Sequence, residues 1–381
     1  MMFNIETLKP FIQNVWKKSE FNQPTTIQTN AIPHAIEGRD LIAESPTGTG
    51  KTLAYLLPVL EKINPEQGGV QAVVLASSQE LVMQVYQEFQ KWSEGSGIRG
   101  ATFIGGANVK RQLEKLKKRP QVVFGTPGRM LELIKQKKLK MHEVKIVVLD
   151  EGDQLLVPEH YATVQNIVKS TLAARQVLLF SATLPAQTEQ KAKELTKDAE
   201  IIRVKKDETI TEGKVEHIFF SCEPRDKMKM LEKIIRLENI KALAFINDIA
   251  EITVMSEKLN FKDLSVKVLH SDMNKVERQN ALNSFRDGKV NMMIATDVAA
   301  RGLDIKGVTH VVHFDFPQDI KQYVHRSGRT GRFGADGTVI SLVTDREERE
   351  LRQFARELNV PVNRKVFYMG KIADGKHAKK Y

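Results

Sequence analysis

Eight short apolar runs, each closed by turn residues and followed by a helix-like stretch, constrain this chain more than any other feature. They are 70–76 (VQAVVLA), 121–127 (QVVFGTP), 145–151 (KIVVLDE) and 176–183 (QVLLFSAT), then 242–247 (ALAFIN), 266–271 (VKVLHS), 290–296 (VNMMIAT) and 309–316 (THVVHFDF). Each run is almost continuously apolar rather than alternating, the pattern of a strand covered on both faces. Strand and helix in alternation imply a mainly parallel sheet flanked by helices, and two blocks of it imply two α/β domains in tandem. The boundaries read as a front domain over 1–204, a polar linker over 205–214, a second domain over 215–362 and a tail over 363–381. The tail carries six Lys/Arg against one acid and reads as mobile and basic.

Composition narrows the function. The single cysteine, Cys222, excludes a disulfide framework and a multi-cysteine zinc site. No run of eighteen apolar residues is present, so no membrane-spanning helix is expected. The opening MMFNIETLKP lacks the layout of a signal peptide, which points to the cytoplasm. With 58 Lys+Arg against 47 Asp+Glu, the net charge of +11 favours a polyanionic partner.

Two motifs carry chemistry. In DLIAESPTGTGKTLAYLLPVLEKI (40–63) a short apolar run, a glycine-rich loop and a helix-like stretch follow one another. This is the Walker A arrangement, with Ser45 where the pattern opens on glycine. Backbone N–H groups of Thr47, Gly48, Thr49 and Gly50 would surround a phosphate, with Lys51 neutralising its β/γ oxygens and the Thr52 hydroxyl holding Mg²⁺. About a hundred residues later, KIVVLDEGD ends an apolar run on three carboxylates. Asp150 at the strand tip is placed to hold Mg²⁺ through water, and Glu151 to orient and deprotonate an attacking water.

With these motifs placed, the sequence resembles the DEAD-box family of ATP-dependent RNA helicases, within helicase superfamily 2, from Phe3 to about Gly337. The resemblance implies two RecA-like domains and ATP as the nucleotide. Phe21, Pro24, Thr25, Ile27 and Gln28 are similar to the family's Q motif, in which Phe21 would stack on adenine and Gln28 read its edge. Ser181-Ala182-Thr183 resembles the SAT motif, which would bond Asp153 and couple hydrolysis to the domain interface. In the second half, ATDVAARGLD (295–304) and HRSGRTGR (325–332) are similar to two further family motifs. By that likeness Arg329 and Arg332 are arginine fingers, Asp304 contacts the ribose, and His325 joins the SAT network. Three arginines around two glycines otherwise make an expensive cluster unless anions sit there.

The resemblance also assigns RNA contacts to Gly105, Gly106, Thr126, Pro127, Gly128, Arg129, Arg278 and Thr296. Their backbone N–H, hydroxyl and guanidinium groups would hold phosphates without reading sequence. Two departures stand out. Motif II has Gly152 in place of alanine, which adds backbone freedom worth roughly 0.5–1 kcal/mol. Motif Ia reads Ser77-Ser78-Gln79-Glu80-Leu81 where the family usually has Pro-Thr-Arg-Glu-Leu, so Gln79 replaces a phosphate-facing arginine. The expected activity is RNA-stimulated ATP hydrolysis driving local duplex unwinding or remodelling of RNA–protein particles by a monomer, with analogy suggesting ribosomal particles or cold adaptation. Two alternatives stay open at this point: another superfamily 2 motor, or an RNA-binding and annealing scaffold with weak ATPase.

Overall fold

The computed structural model describes residues 3–19, 23–106, 109–204, 214–300, 305, 307–331 and 335–374. The chain divides into two compact units, 1–207 and 208–381. Unit 1 is built on a seven-stranded sheet: β1 (Leu41–Glu44), β2 (Ala72–Leu75), β3 (Gly100–Phe103), β4 (Val122–Gly125), β5 (Ile146–Asp150), β6 (Gln176–Ser181) and β7 (Glu200–Arg203). The spatial order is β3-β4-β2-β5-β6-β1-β7, and every pairing is parallel. The four runs expected here are β2, β4, β5 and β6.

Burial on both faces explains why those runs do not alternate. In β5, Ile146 and Val148 belong to one core layer, and Val147 and Leu149 to the layer on the opposite face. Strand β3 was hidden in the sequence by its glycine. A Cβ at Gly100 would lie 2.4 Å from Cε1 of Phe89, so the ring of the neighbouring helix takes the space a side chain would need.

Unit 2 holds β8 (Val215–Ser221), β9 (Ala242–Phe245), β10 (Val266–Leu269), β11 (Met292–Ala295), β12 (His310–His313), β13 (Gly337–Val343), β14 (Val362–Tyr368) and β15 (Lys371–Asp374). Their order is β10-β11-β9-β12-β13-β8-β14-β15, parallel except for the final hairpin. Among the described residues no helix is long and apolar enough to cross a membrane.

The hairpin corrects one expectation. Residues 363–374, read as the start of a mobile basic tail, form β14 and β15 and extend the sheet. Val362, Asn363 and Arg364 pair with His217, Ile218 and Phe219 of β8. Phe367 stacks on Phe220 with ring centroids 4.9 Å apart. Positive charge concealed the strand, but Lys365 is matched by Glu216 at 3.4 Å and Asp374 at 2.8 Å. Residues 375–381 of the expected tail and 205–213 of the expected linker lie outside the described residues.

Candidate active site

In a parallel sheet the loops that follow the strands all emerge at one edge, where ligands of such folds bind. Strand β1 runs into residues 45–50, and Lys51 begins the helix Lys51–Lys62. Gly48 and Gly50 adopt φ +83° and +90°, a region open to glycine at little cost. The loop is braced from within. Ser45 N donates to Ser181 O at 3.0 Å, and the Ser45 and Thr49 hydroxyls lie 2.7 Å apart. Lys51 Nζ donates to the carbonyls of Ser45 and Pro46 at 2.6 and 2.7 Å. Gln28 abuts the loop, because a Cβ at Gly50 would sit 2.5 Å from its Nε2. Its Oε1 accepts from Thr25 N at 3.0 Å and its Nε2 donates to Gly50 O at 3.2 Å. One N–H and one lone pair of that carboxamide remain. Phe21 lies outside the described residues.

Asp150 ends β5 almost fully buried. Tyr55 Oη donates to its Oδ2 at 2.7 Å, and Glu151 N donates to its Oδ1 at 2.9 Å. Burial, followed by the adjacent Glu151 charge, pushes the Asp150 carboxyl up to about 6, with Lys51 pulling the other way. The Tyr55 phenol is driven well above its ordinary range by burial and then by Asp150. Thr52, the other candidate Mg²⁺ ligand, lies one turn before Tyr55 on the same helix. A buried carboxylate short of positive charge, tied to a hydroxyl, is a hard oxygen donor set that fits Mg²⁺.

Glu151 takes a left-handed φ of +54° and caps the short helix Gly152–Leu155. Its carboxylate accepts from Ser77 Oγ at 2.5 Å. Gly152 is not a source of slack: a Cβ there would lie 2.7 Å from Cδ2 and 2.9 Å from Cγ of Leu179. Asp153 comes together with the SAT segment. Ser181 Oγ sits 2.6 Å from both Asp153 Oδ1 and Thr183 O, and Thr183 Oγ1 is 3.4 Å from Asp153 Oδ2.

The candidate RNA contacts of unit 1 leave the same sheet edge on the other half. Gly105 and Gly106 follow β3, with the Gln79 amide beside them. Thr126 follows β4 and precedes the helix Pro127–Lys135, which carries Gly128 and Arg129. Arg129 is mostly buried and pairs with Glu132 at 3.0 Å.

In unit 2 the arginine-rich segment ends the helix Ile320–Ser327. Arg326 supplies what the sequence left unexplained. It is fully buried, stacked over Phe245, and its Nε donates to Asp297 Oδ1 at 2.7 Å while Nη2 bonds Asp297 Oδ2. Its Nη1 donates to Asp315 O at 2.6 Å and Nη2 to Asn247 Oδ1 at 2.9 Å. One of the three arginines is thus neutralised internally and clips three loops together. Arg329 is nearly buried, with Nε donating to His325 O at 3.3 Å. Thr296 precedes the short helix Asp297–Ala300, and Arg278 donates to Ala299 O at 2.8 Å and His270 O at 3.4 Å. Asp304 and Arg332 lie outside the described residues.

Sequence reasoning passed over Tyr55, Ser77 and Arg326. Tyr55 offered one signal, as the single polar-tipped residue in the apolar stretch Leu53–Leu60, one turn beyond Lys51. Ser77 offered only its departure from proline.

Residues 25–192 match the DEAD/DEAH box helicase family, and residues 226–334 match the helicase conserved C-terminal domain. The chain is 51% identical over 368 residues to the probable ATP-dependent RNA helicase YfmL of Bacillus subtilis (strain 168), covering 97% of each. It is 48% identical over 372 residues to the DEAD-box ATP-dependent RNA helicase CshC of Bacillus cereus, covering 98% of this chain and 95% of that one. Among solved structures it is similar to S. cerevisiae Dbp5 bound to RNA and ADP BeF3. The TM-score is 0.86 at 30% identity, over 94% of this chain and 93% of that chain.

Proposed function

The chain belongs to the DEAD-box family of ATP-dependent RNA helicases, and on that premise we propose how its residues divide the work. Main-chain N–H groups from Thr47 to Gly50 hold the phosphates of ATP, and Lys51 meets the β/γ oxygens. Thr52 and Asp150 hold Mg²⁺, which when bound screens the phosphate charge. Glu151 orients the attacking water and accepts its proton. Arg329 and Arg332 stabilise charge on the transferring phosphoryl group. Phe21 and Gln28 hold the adenine and Asp304 the ribose, while Asp153, Ser181, Thr183 and His325 couple turnover to RNA. Unit 1 bears Lys51, Asp150 and Glu151 and unit 2 bears the arginines, so hydrolysis needs both. RNA phosphates engage Gly105, Gly106, Thr126, Pro127, Gly128, Arg129, Arg278 and Thr296. RNA favours the hydrolysing arrangement to the extent that it binds that arrangement more tightly.

The observation that carries this reading is the gathering of Lys51, Asp150 and Glu151 on neighbouring loops of one sheet edge, with Tyr55 and Ser77 holding the two carboxylates. The enzyme works as a cytoplasmic monomer that opens short duplexes or remodels RNA–protein particles, ribosomal particles among them, in ribosome assembly or cold adaptation. Phosphate release measured with and without single-stranded RNA tests it. RNA should raise turnover. Glu151→Gln should bind ATP and RNA yet lose roughly 10²–10⁴-fold in rate. Turnover indifferent to RNA, or retained in Glu151→Gln, overturns the assignment.

A further inference from the structure

The order β3-β4-β2-β5-β6-β1 sorts the loops at the active edge of unit 1 into two halves. Those after β3, β4 and β2 carry the RNA-facing candidates Gly105–Gly106, Thr126–Arg129 and Gln79, the last reached through Ser77 and Ser78. Those after β5, β6 and β1 carry Glu151, Ser181–Thr183 and the phosphate loop. The border falls between β2 and β5. These strands pair in parallel, with Ala72 opposite Ile146 and Leu75 opposite Leu149. The offset of 74 residues, carried two positions past the last pair, sets Ser77 beside Glu151. The hydrogen bond from Ser77 Oγ to Glu151 Oε2, at 2.5 Å, is made across that border.

Helix capping does not account for Ser77. Its neighbour Ser78 caps the helix Gln79–Trp92, accepting from Leu81 N at 3.1 Å. Two residues on, the Gln79 amide lies beside Gly105 and Gly106. Proline, usual in the family at this position, has no hydroxyl and could not make the bond. We propose that Ser77 is a positioning residue for Glu151, tying the general base to the RNA-contacting loops so that RNA held there sets the carboxylate for attack. A single donated hydrogen bond fixes which oxygen of Glu151 faces away from the reacting water. Movement of the Ser77–Gln79 segment on RNA reaches the base through one bond, without passing through the sheet interior. This rests on Glu151 being the base, as proposed above.

The test is steady-state ATPase of the full chain with saturating single-stranded RNA, alongside RNA affinity by fluorescence anisotropy, for Ser77→Ala, Ser77→Thr and Glu151→Gln. Ser77→Ala should lower the RNA-stimulated kcat about tenfold, part of the roughly 10²–10⁴ a general base contributes. KM for ATP and the RNA affinity should stay within about twofold, because Ser77 is assigned contact with neither ligand. Ser77→Thr, which keeps the hydroxyl, should restore most of the rate. Adding Ser77→Ala to Glu151→Gln should slow the enzyme no further. If Ser77→Ala turns over like the parent while Glu151→Gln is inactive, the positioning role falls and the base assignment stands. If Glu151→Gln stays active, both fall. A rate loss that Ser77→Thr does not rescue, or that comes with a matching rise in KM, marks Ser77 as merely structural and overturns the proposal.

Discussion

Restoring the usual motif II sequence by Gly152→Ala should harm this protein. An added Cβ would lie 2.7, 2.9 and 3.1 Å from three carbons of Leu179, where about 3.5–4.0 Å is normal. Leu179 has no room to retreat. It is fully buried in β6, between Ile42 of β1 and Leu149 of β5. Over-packing of this kind costs about 2–3 kcal/mol. Alanine's better helix propensity over Gly152–Leu155 returns about 1 kcal/mol. The net loss is about 1–2 kcal/mol. The chain offers a selective readout, since its two tryptophans, Trp16 and Trp92, both belong to unit 1 with rings 6.0 Å apart. Urea unfolding of the full chain followed by tryptophan fluorescence therefore reports this unit. Leu179→Val, which removes one methylene, should cost about 1 kcal/mol alone. Combined with Gly152→Ala it should cost little more, because the space it frees accepts the new methyl. A Gly152→Ala protein as stable as its parent, or a double variant whose losses simply add, would refute the steric argument. RNA-stimulated turnover should fall with stability, since the backbone that moves carries Glu151 and Asp153.

Three more outcomes follow from the geometry. His313 is fully buried with Nδ1 3.1 Å from Ser341 Oγ, and burial, then Arg326 and His217, hold its pKa well below the ordinary value. The stability of unit 2 should be complete above pH about 7 and fall as pH drops below the unfolded value near 6.5, by about 1 kcal/mol between pH 7.5 and 5.5. His313→Gln should flatten that slope in calorimetric melts. Arg326→Lys cannot reproduce the fork on Asp297, and should cost unit 2 roughly 2–4 kcal/mol, seen as lost amide exchange protection in β9 and β12. Gln79→Arg should tighten RNA binding and steepen its salt dependence by about one counterion, and an unchanged slope would count against Gln79 facing a phosphate.

The eight apolar runs were legible as buried parallel strands because both faces of each sheet are covered, so composition alone marked them. Strands that depend on a partner's side chain were not. Gly100 in β3 looks like a breaker until Phe89 is seen filling its side, and β14 looks like a solvated charged tail until Glu216 and Asp374 are placed beside Lys365. The same divide runs through the site. Lys51, Asp150 and Glu151 could be singled out because spacing and order mark them, whereas Asp153, Ser181 and Thr183 came only through the family resemblance. Tyr55 could not, because a phenol in an apolar helix looks like core. Nor could the internal role of Arg326, because Asp297, its counter-ion, lies 29 residues away in sequence. Gly152 was read as slack, whereas the governing fact is the position of a leucine on an adjacent strand.

The layout of unit 2 sets a limit on how the chain can be cut. The matched helicase span, 226–334, contains β9, β10, β11 and β12, while β8, β13, β14 and β15 fall outside it. In space those four strands are not an appendage but one whole flank, starting at β13 against β12. A fragment trimmed to the motif-bearing residues would bare the length of β12 as an open, apolar margin ready to zip onto a second molecule. The piece that carries the motifs and the piece that can stand alone in water are different lengths of this polypeptide.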